Sequence, residues 1–250
     1  MAELTADRRN QIAQILLRDG SIKATEMAEL FHVSTETIRK DIIYLEEAGI
    51  AEKNHGGAIA KVNAVEKTLS EKDFLNKDEK AEIAMKAMDL IPQNATILLD
   101  AGSTTNAIAR QLTMRKGLTI FTNSVNLVNI LAESDNDIYL MGGKIRHSSK
   151  ATVGGWTLEV LASLHADLAF LGSDGFKNAA GPTSMSYEEM NLKQLGVKCS
   201  DRTYVVADSS KILSEDRFSY ARWEEVTGIV TAGKFTDRVR EFLKDKTEVL

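Results

Sequence analysis

The 250-residue sequence is poor in the features of secreted or membrane-bound chains. It has one cysteine, Cys199, so no internal disulfide can form and nothing points to an oxidising compartment. No apolar run reaches the length of a membrane span, and the opening stretch MAELTADRRNQIAQILL lacks the apolar core of a signal peptide. A cytoplasmic chain with no membrane partner is expected. Four histidines (His32, His55, His147 and His165) lie far apart and, with the lone cysteine, offer no zinc-ligand spacing, so neither a metal nor a cofactor is expected. An excess of positive charge is also missing. The net charge is −5, and residues 1–62 hold slightly more Asp and Glu than Lys and Arg. Any claim of nucleic-acid binding must therefore rest on where the basic groups sit, because only charges near phosphates release counterions.

What is present is ordinary for a globular protein: 43% hydrophobic and 27% charged residues, in a chain long enough for one large domain or two. The first sixty residues carry helical spacing. Ile12, Ile15 and Leu16 form an apolar face that stops at Asp19-Gly20. An extended piece follows at Ile22, then a second helix from about Ala24 to Phe31 with Met27, Ala28 and Leu30 available for packing. After His32-Val33, Ser34 is placed to cap a third helix, with Glu36 in its first turn, Ile38, Ile42 and Leu45 on one face, and Gly49 as its stop. Two short extended runs flank Gly56-Gly57, which a tight hairpin favours. This is a helix-turn-helix followed by a wing.

On the third helix Glu36, Arg39 and Lys40 point away from the apolar stripe, and Thr35 lies at the exposed first turn. Such a helix can enter a major groove, with Arg39 pairing guanine or phosphate and with Ser34 and Thr37 donating to phosphate. Lys53, His55 and Gly56 in the wing are placed against the backbone. A small protein-interaction module would show the same pattern. The stretches VSTETIRKDIIYLEEAGI and EKNHGGA narrow the choice, because they closely resemble the N-terminal signature of the DeoR/GlpR family of bacterial regulators. Ser34, Thr37, Ile38, Arg39, Lys40, Asp41, His55, Gly56 and Gly57 carry the match. Two positions depart from it: Lys23, where the family often has a capping serine, and Lys53, where an arginine is common.

Residues 61–79 are polar with little periodicity and read as the connection between a winged domain at 1–60 and a second domain at 80–250. In the second domain short apolar runs alternate with helical segments: 96–100, 118–122, 137–141, 167–172, 202–208 and 226–230. Continuous hydrophobicity predicts strands covered on both faces, in a mostly parallel α/β sheet. Met85 and Met88 are expected in its core, and Trp156 and Trp223 in packing or interfaces.

Polar turns fall at the strand ends, where ligands of open α/β sheets bind. They hold Asp100, Gly102, Ser103, Thr104 and Thr105; Thr122, Asn123 and Ser124; Gly142, Gly143 and Arg146; Asp174 and Gly175; and Lys211 beyond Asp208. Taken singly, each is an ordinary turn with a cap. Together, hydroxyls and free N–H groups at helix starts suit a phosphate. The GSDG turn lacks the spacing of a nucleophile elbow. The family resemblance extends over this domain and implies a fold similar to sugar-phosphate isomerases, used to sense a phosphorylated sugar or sugar alcohol. It assigns Gly102 to Thr105 and Thr122 to Ser124 to the phosphate and nearby hydroxyls, Asp100, Asp174 and Glu189 to sugar hydroxyls, and Arg146 and Lys211 to countercharge. Glu189 on a solvated helix face and Lys211 as a surface lysine remain open alternatives. The implied function is a repressor of a carbohydrate-utilisation operon that binds a double-stranded DNA operator as a homodimer or homotetramer. The alternative is a sugar-phosphate isomerase-like enzyme with an accessory helical domain, using Asp174 or Glu189 as base.

Overall fold

The computed structural model describes residues 8–250 apart from 10, 13–14, 17–18, 48–50, 61–67, 177–178 and 215–217. Gly49, the expected helix stop, and the first part of the expected connection lie outside these residues. The chain divides into two compact units, 1–66 and 67–250.

In the first unit, helical residues between 8 and 19 precede β1 (Ser21–Lys23), α1 (Ala24–Leu30), α2 (Thr35–Glu47), β2 (Ala51–Asn54) and β3 (Gly57–Ala60). Ile12, Leu16, Met27, Ile38, Ile42 and Leu45 form one core, so the apolar stripe of α2 faces inward as its spacing predicts. The wing pairs antiparallel, Ala51↔Ala60 to Asn54↔Gly57, and β1 joins its far side to give the order β1-β3-β2. Two glycines make this sheet possible. Gly56 turns at φ 98°, and a Cβ on Gly57 would stand 1.9 Å from the Ile22 carbonyl oxygen. Lys23 opens α1 without a side-chain cap and instead pairs with Glu26 at 2.8 Å.

The second unit begins with α3 (Leu69–Phe74) and α4 (Lys77–Leu90). Residues 68–79, read from the sequence as connection, are therefore built into this unit. Thr68 Oγ1 accepts from the Glu71 N–H while the Glu71 carboxylate accepts from the Thr68 N–H, a reciprocal cap that makes a short polar helix viable. There follow β4 (Thr96–Leu99), α5 (Ser103–Leu112), β5 (Thr119–Thr122), α6 (Val125–Leu131) and β6 (Asp137–Leu140). A hairpin, β7 (Lys144–Arg146) with β8 (Ala151–Val153), leads to α7 (Gly155–Ala162) and β9 (Ala166–Gly172). The remainder is β10 (Thr183–Ser184), α8 (Tyr187–Lys198), β11 (Ser200–Val206), β12 (Phe218–Ser219), β13 (Gly228–Val230), α9 (Thr236–Leu243) and β14 (Glu248–Val249).

Seven of these strands form one sheet in the order β14-β13-β11-β9-β4-β5-β6, parallel at every pairing. Alternate residues serve opposite faces. Ile97 and Leu99 pack with α4 and α5 through Ile83, Ala87, Ile108 and Leu112, while Leu98 packs with Leu161 of α7 and Leu192 of α8. A third cluster joins Val205 and Ile229 to Val239 and Leu243 of α9, with Trp223 set edge-on to Phe176.

Three expectations need correction. β6 is an edge strand, with Tyr139 and Leu140 about half exposed, because the chain leaves the sheet here and returns beside β4. Met85 is exposed, and only Met88 of the expected pair packs against the core. The segment after Gly142-Gly143 is a hairpin strand rather than a turn alone. It approaches so closely that a Cβ on Gly143 would meet the Thr157 hydroxyl at 2.3 Å.

Candidate functional site

The first unit presents α2. Ser34 Oγ accepts from the Thr37 N–H at 3.1 Å and lies 2.9 Å from Thr37 Oγ1, so both hydroxyls frame the first turn. Glu36, Arg39 and Lys40 are exposed, and Arg39 makes a 3.5 Å contact to Glu36. Thr35 is half-buried, while Lys53, His55 and Gly56 project from the wing. Asp41 of the signature has a different place. It is buried on the inner side of α2 and takes Arg8 Nε at 2.7 Å and Arg9 Nε at 2.8 Å. Those two arginines therefore fix the N-terminal helix to α2, and Arg9 also stacks 4.1 Å from the Tyr44 ring centre.

In the second unit the strand order reverses between β4 and β9, the point where the carboxyl ends of an open sheet leave a crevice. A small cleft opens there. Leu98, Leu171, Met141, Leu161 and Leu192 give it apolar walls, and Asp100, Ala101, Asn123, Glu189 and Lys193 give it polar ones. Apolar walls with a few convergent polar groups are features common to small-molecule sites.

Asp100 and Lys193 form a buried ion pair through Asp100 Oδ2, which also accepts from the Gly172 N–H at 3.0 Å. The Asp100 Oδ1 atom is buried and makes no hydrogen bond among the described residues. Burial pushes the Asp100 carboxyl above its ordinary range, against the pull of Lys193 and the Gly172 N–H. Lys193 further donates to the Gly172 carbonyl at 2.9 Å, and so does the Tyr220 hydroxyl at 3.0 Å. Burial and the nearby carboxylates of Asp100 and Asp174 hold that phenol well above its usual value, so it stays a donor. Beyond β9, Asp174 takes Lys72 Nζ at 2.7 Å and the Met185 N–H at 3.1 Å. Burial would raise its carboxyl, but Lys72, Lys193 and that N–H outweigh it and hold the group at about 2.

In the turn after β4 the chain itself uses one hydroxyl, that of Thr105. Gly102 precedes α5 and has no side chain with which to cap it. Ser103 and Thr104 are nearly buried at its first turn, and Thr105 directs its hydroxyl proton between the carbonyls of Asp100 (2.8 Å) and Gly102 (2.9 Å). Thr122 Oγ1 accepts from the Ser124 N–H, Ser124 caps α6 at Leu127, and Asn123 donates to the Thr152 carbonyl at 3.1 Å. Arg146 reaches Ser149 at 3.3 Å and Glu189 at 3.5 Å. Gly142 accepts from the Thr157 hydroxyl at 2.7 Å through its carbonyl, while Gly143 and Gly175 serve close packing: a Cβ on Gly175 would meet the Ser214 carbonyl oxygen at 2.6 Å. Lys211 is half-buried on the loop after β11, where Asp208 holds Asn76 and Ser210.

The cleft thus brings together Asp100, Asn123 and Glu189. Lys193, which also lines the cleft, stands in no motif of the sequence. The one available signal was helical spacing: Glu189, Leu192, Lys193 and Gly196 share the buried face of α8.

Comparison with known proteins agrees with this division. Residues 8–63 match the DeoR-like helix-turn-helix domain, and residues 75–233 match the DeoR C terminal sensor domain. A putative aga operon transcriptional repressor of Escherichia coli O157:H7 is 34% identical over 211 residues, 83% of this chain and 78% of that protein. A lactose phosphotransferase system repressor of Staphylococcus epidermidis is 32% identical over 249 residues, 98% of each chain. Among solved structures, a ribose 5-phosphate isomerase from Methanocaldococcus jannaschii aligns with TM-score 0.41 and 17% identity over 54% of each chain.

Proposed function

The chain belongs to the DeoR family of transcriptional regulators, and from that premise we propose that it represses a carbohydrate-utilisation operon under control of a phosphorylated sugar or sugar alcohol. One observation supports the sensor half: at the β4/β9 crossover a buried carboxylate oxygen with no hydrogen-bond partner among the described residues lies at a cleft beside an uncapped helix start. The oxygen suits a sugar hydroxyl, and the N–H groups at the start of α5 suit an anion. The hydroxyls of Thr105, Thr122 and Ser124 shape the turns, which leaves the phosphate to backbone N–H groups, the hydroxyls of Ser103 and Thr104, and cations.

The operator half rests on α2. Its exposed first turn and Arg39 enter the major groove of duplex DNA, with Lys40 and the wing residues Lys53 and His55 against phosphates. A small winged domain with so few basic groups gains affinity by pairing, so a homodimer or homotetramer on repeated half-sites is proposed, acting in the cytoplasm with its DNA. The enzyme reading, with Asp174 or Glu189 as base, loses the first of these. A carboxyl held at about 2 makes Asp174 a weak general base at neutral pH.

A thermal-shift screen of the full chain against phosphorylated sugars tests the sensor. One of them should raise the melting temperature, and Ser103→Asp, which sets a negative charge against the phosphate, should abolish that rise while operator binding without effector is kept. If no phosphorylated sugar stabilises the unaltered chain, the sensor reading fails.

A further inference from the structure

The outer face of α2 carries a row of four exposed residues, Glu36, Arg39, Lys40 and Ile43. Positions i, i+3, i+4 and i+7 lie along one side of a helix, and such a row rises about 10.5 Å from end to end. That is about the length of three base-pair steps, within reach of a major groove about 12 Å wide. Three of the four side chains are charged, as a solvated or DNA-facing surface favours. Ile43 is not. It is 39% exposed, while Ile38, Ile42 and Leu45 are buried on the opposite side of the helix.

Its neighbours give the contrast its meaning. Tyr44 is also exposed, but the Arg9 guanidinium lies 4.1 Å from its ring centre, so that aromatic surface already has a partner in the N-terminal helix. Asp41 is likewise engaged, by Arg8 and Arg9. A β-branched residue on a solvated helix face loses helix propensity that alanine, lysine or glutamate would keep. Single exposed apolar residues are common on protein surfaces. Ile43 differs by its place: it stands one turn beyond Arg39 and Lys40 and points between them, at the centre of the face proposed to meet DNA. The base edges of the major groove present donors, acceptors and one apolar group, the 5-methyl of thymine. An aliphatic side chain gains nothing from a phosphate or a hydrogen-bonding edge, and leaving either desolvated without a partner is unfavourable. Against a thymine methyl it removes apolar surface from water on both sides.

We propose that Ile43 is a specificity-determining residue that reads a thymine methyl in each operator half-site, next to the bases or phosphates met by Arg39 and Lys40. This rests on the operator reading above. It adds an apolar contact to the polar ones and predicts an A·T pair at a fixed step from them.

The test uses the full chain and the DNA duplexes that it enriches from a random-sequence pool. In an enriched duplex, thymines are replaced one at a time by uracil, which removes the methyl and keeps the base pair. For the unaltered chain, one replacement per half-site should weaken binding about fourfold, the worth of one buried methyl-sized group. Ile43→Ala should weaken binding to the thymine duplex by a similar factor and should bind the thymine and uracil forms equally. Alanine favours a helix and the position is exposed, so the fold should hold, and the melting temperature checks it. Ile43→Gln, polar and of similar reach, should also lose the distinction between thymine and uracil. The proposal is overturned if no uracil replacement matters to the unaltered chain, or if both variants keep the full penalty at every position. Either result leaves the operator reading in place. If the full chain enriches no sequence from the pool, the operator reading falls and this inference falls with it.

Discussion

Asp174 shows how much a single residue's surroundings decide. Its carboxyl lies at about 2 in the folded chain against an ordinary 3.8, because Lys72, Lys193 and the Met185 N–H favour the charged form more than burial opposes it. A lowered folded-state value means that the unfolded chain binds the proton more readily. The stabilisation is therefore fully present above about pH 4 and is lost as pH falls through about 2. Lys72→Met removes the main opposing charge, so the carboxyl should rise and the acid-unfolding midpoint should move to higher pH. Denaturation followed at a series of acidic pH values checks this, and an unmoved midpoint would show that Lys72 does not hold the carboxylate in solution. Asp41 makes the complementary point. It belongs to the signature by which the family resemblance was drawn, yet it faces the two arginines of the preceding helix rather than solvent. Its effect on the DNA-reading face is to set the angle of α2, and a sequence motif alone does not separate such positioning residues from contacting ones.

At the scale of elements, the wing depends on two adjacent glycines for different reasons. Gly56 has a positive φ with open space around it, so Gly56→Ala should cost about 1–2 kcal/mol of backbone strain. Gly57 has no such φ, but its missing Cβ makes room for the Ile22 carbonyl, and Gly57→Ala must push β1 off β3. Thermal unfolding of the intact chain should therefore show the larger loss for Gly57→Ala. Equal losses would mean that β1 does not pair tightly. Periodicity made most elements legible: the stripe of α2, the wing and the continuous apolar strands at 96–99, 119–122, 166–172 and 200–206 stand where pattern puts them. What pattern could not convey was position within the sheet. The run at 137–141 reads like its neighbours yet lies at the edge, since edge and centre differ in topology and not in composition. Nor could it find α3, whose six residues are held by a cap, by an ion pair to Asp174 and by a hydrogen bond from Asn106, both far along the chain. The cleft was half legible for the same reason. Asp100 and Asn123 sit directly at strand ends, whereas Lys193 arrives on a helix from ninety-three residues away.

For the whole molecule, the proposal that one ligand governs another makes a thermodynamic demand. If a phosphorylated sugar changes operator affinity, the operator must change affinity for that sugar by the same factor, with typical couplings of about 5–150-fold. Titrating effector into the free protein and into the operator complex should therefore give a ratio equal to that obtained by titrating operator with and without effector. Arg39→Ala separates the halves of this cycle. It should weaken operator binding by about 1–3 kcal/mol if the guanidinium reads a base, and leave effector affinity of the DNA-free protein unchanged. Pairing of subunits enters the same cycle, because two winged domains on repeated half-sites bind as one only while the assembly holds them together. Sedimentation at micromolar concentration should show a dimer or tetramer. A monomer that binds its operator with undiminished affinity would mean that a single α2 supplies all the recognition, and the ligand would then have no arrangement of paired domains on which to act.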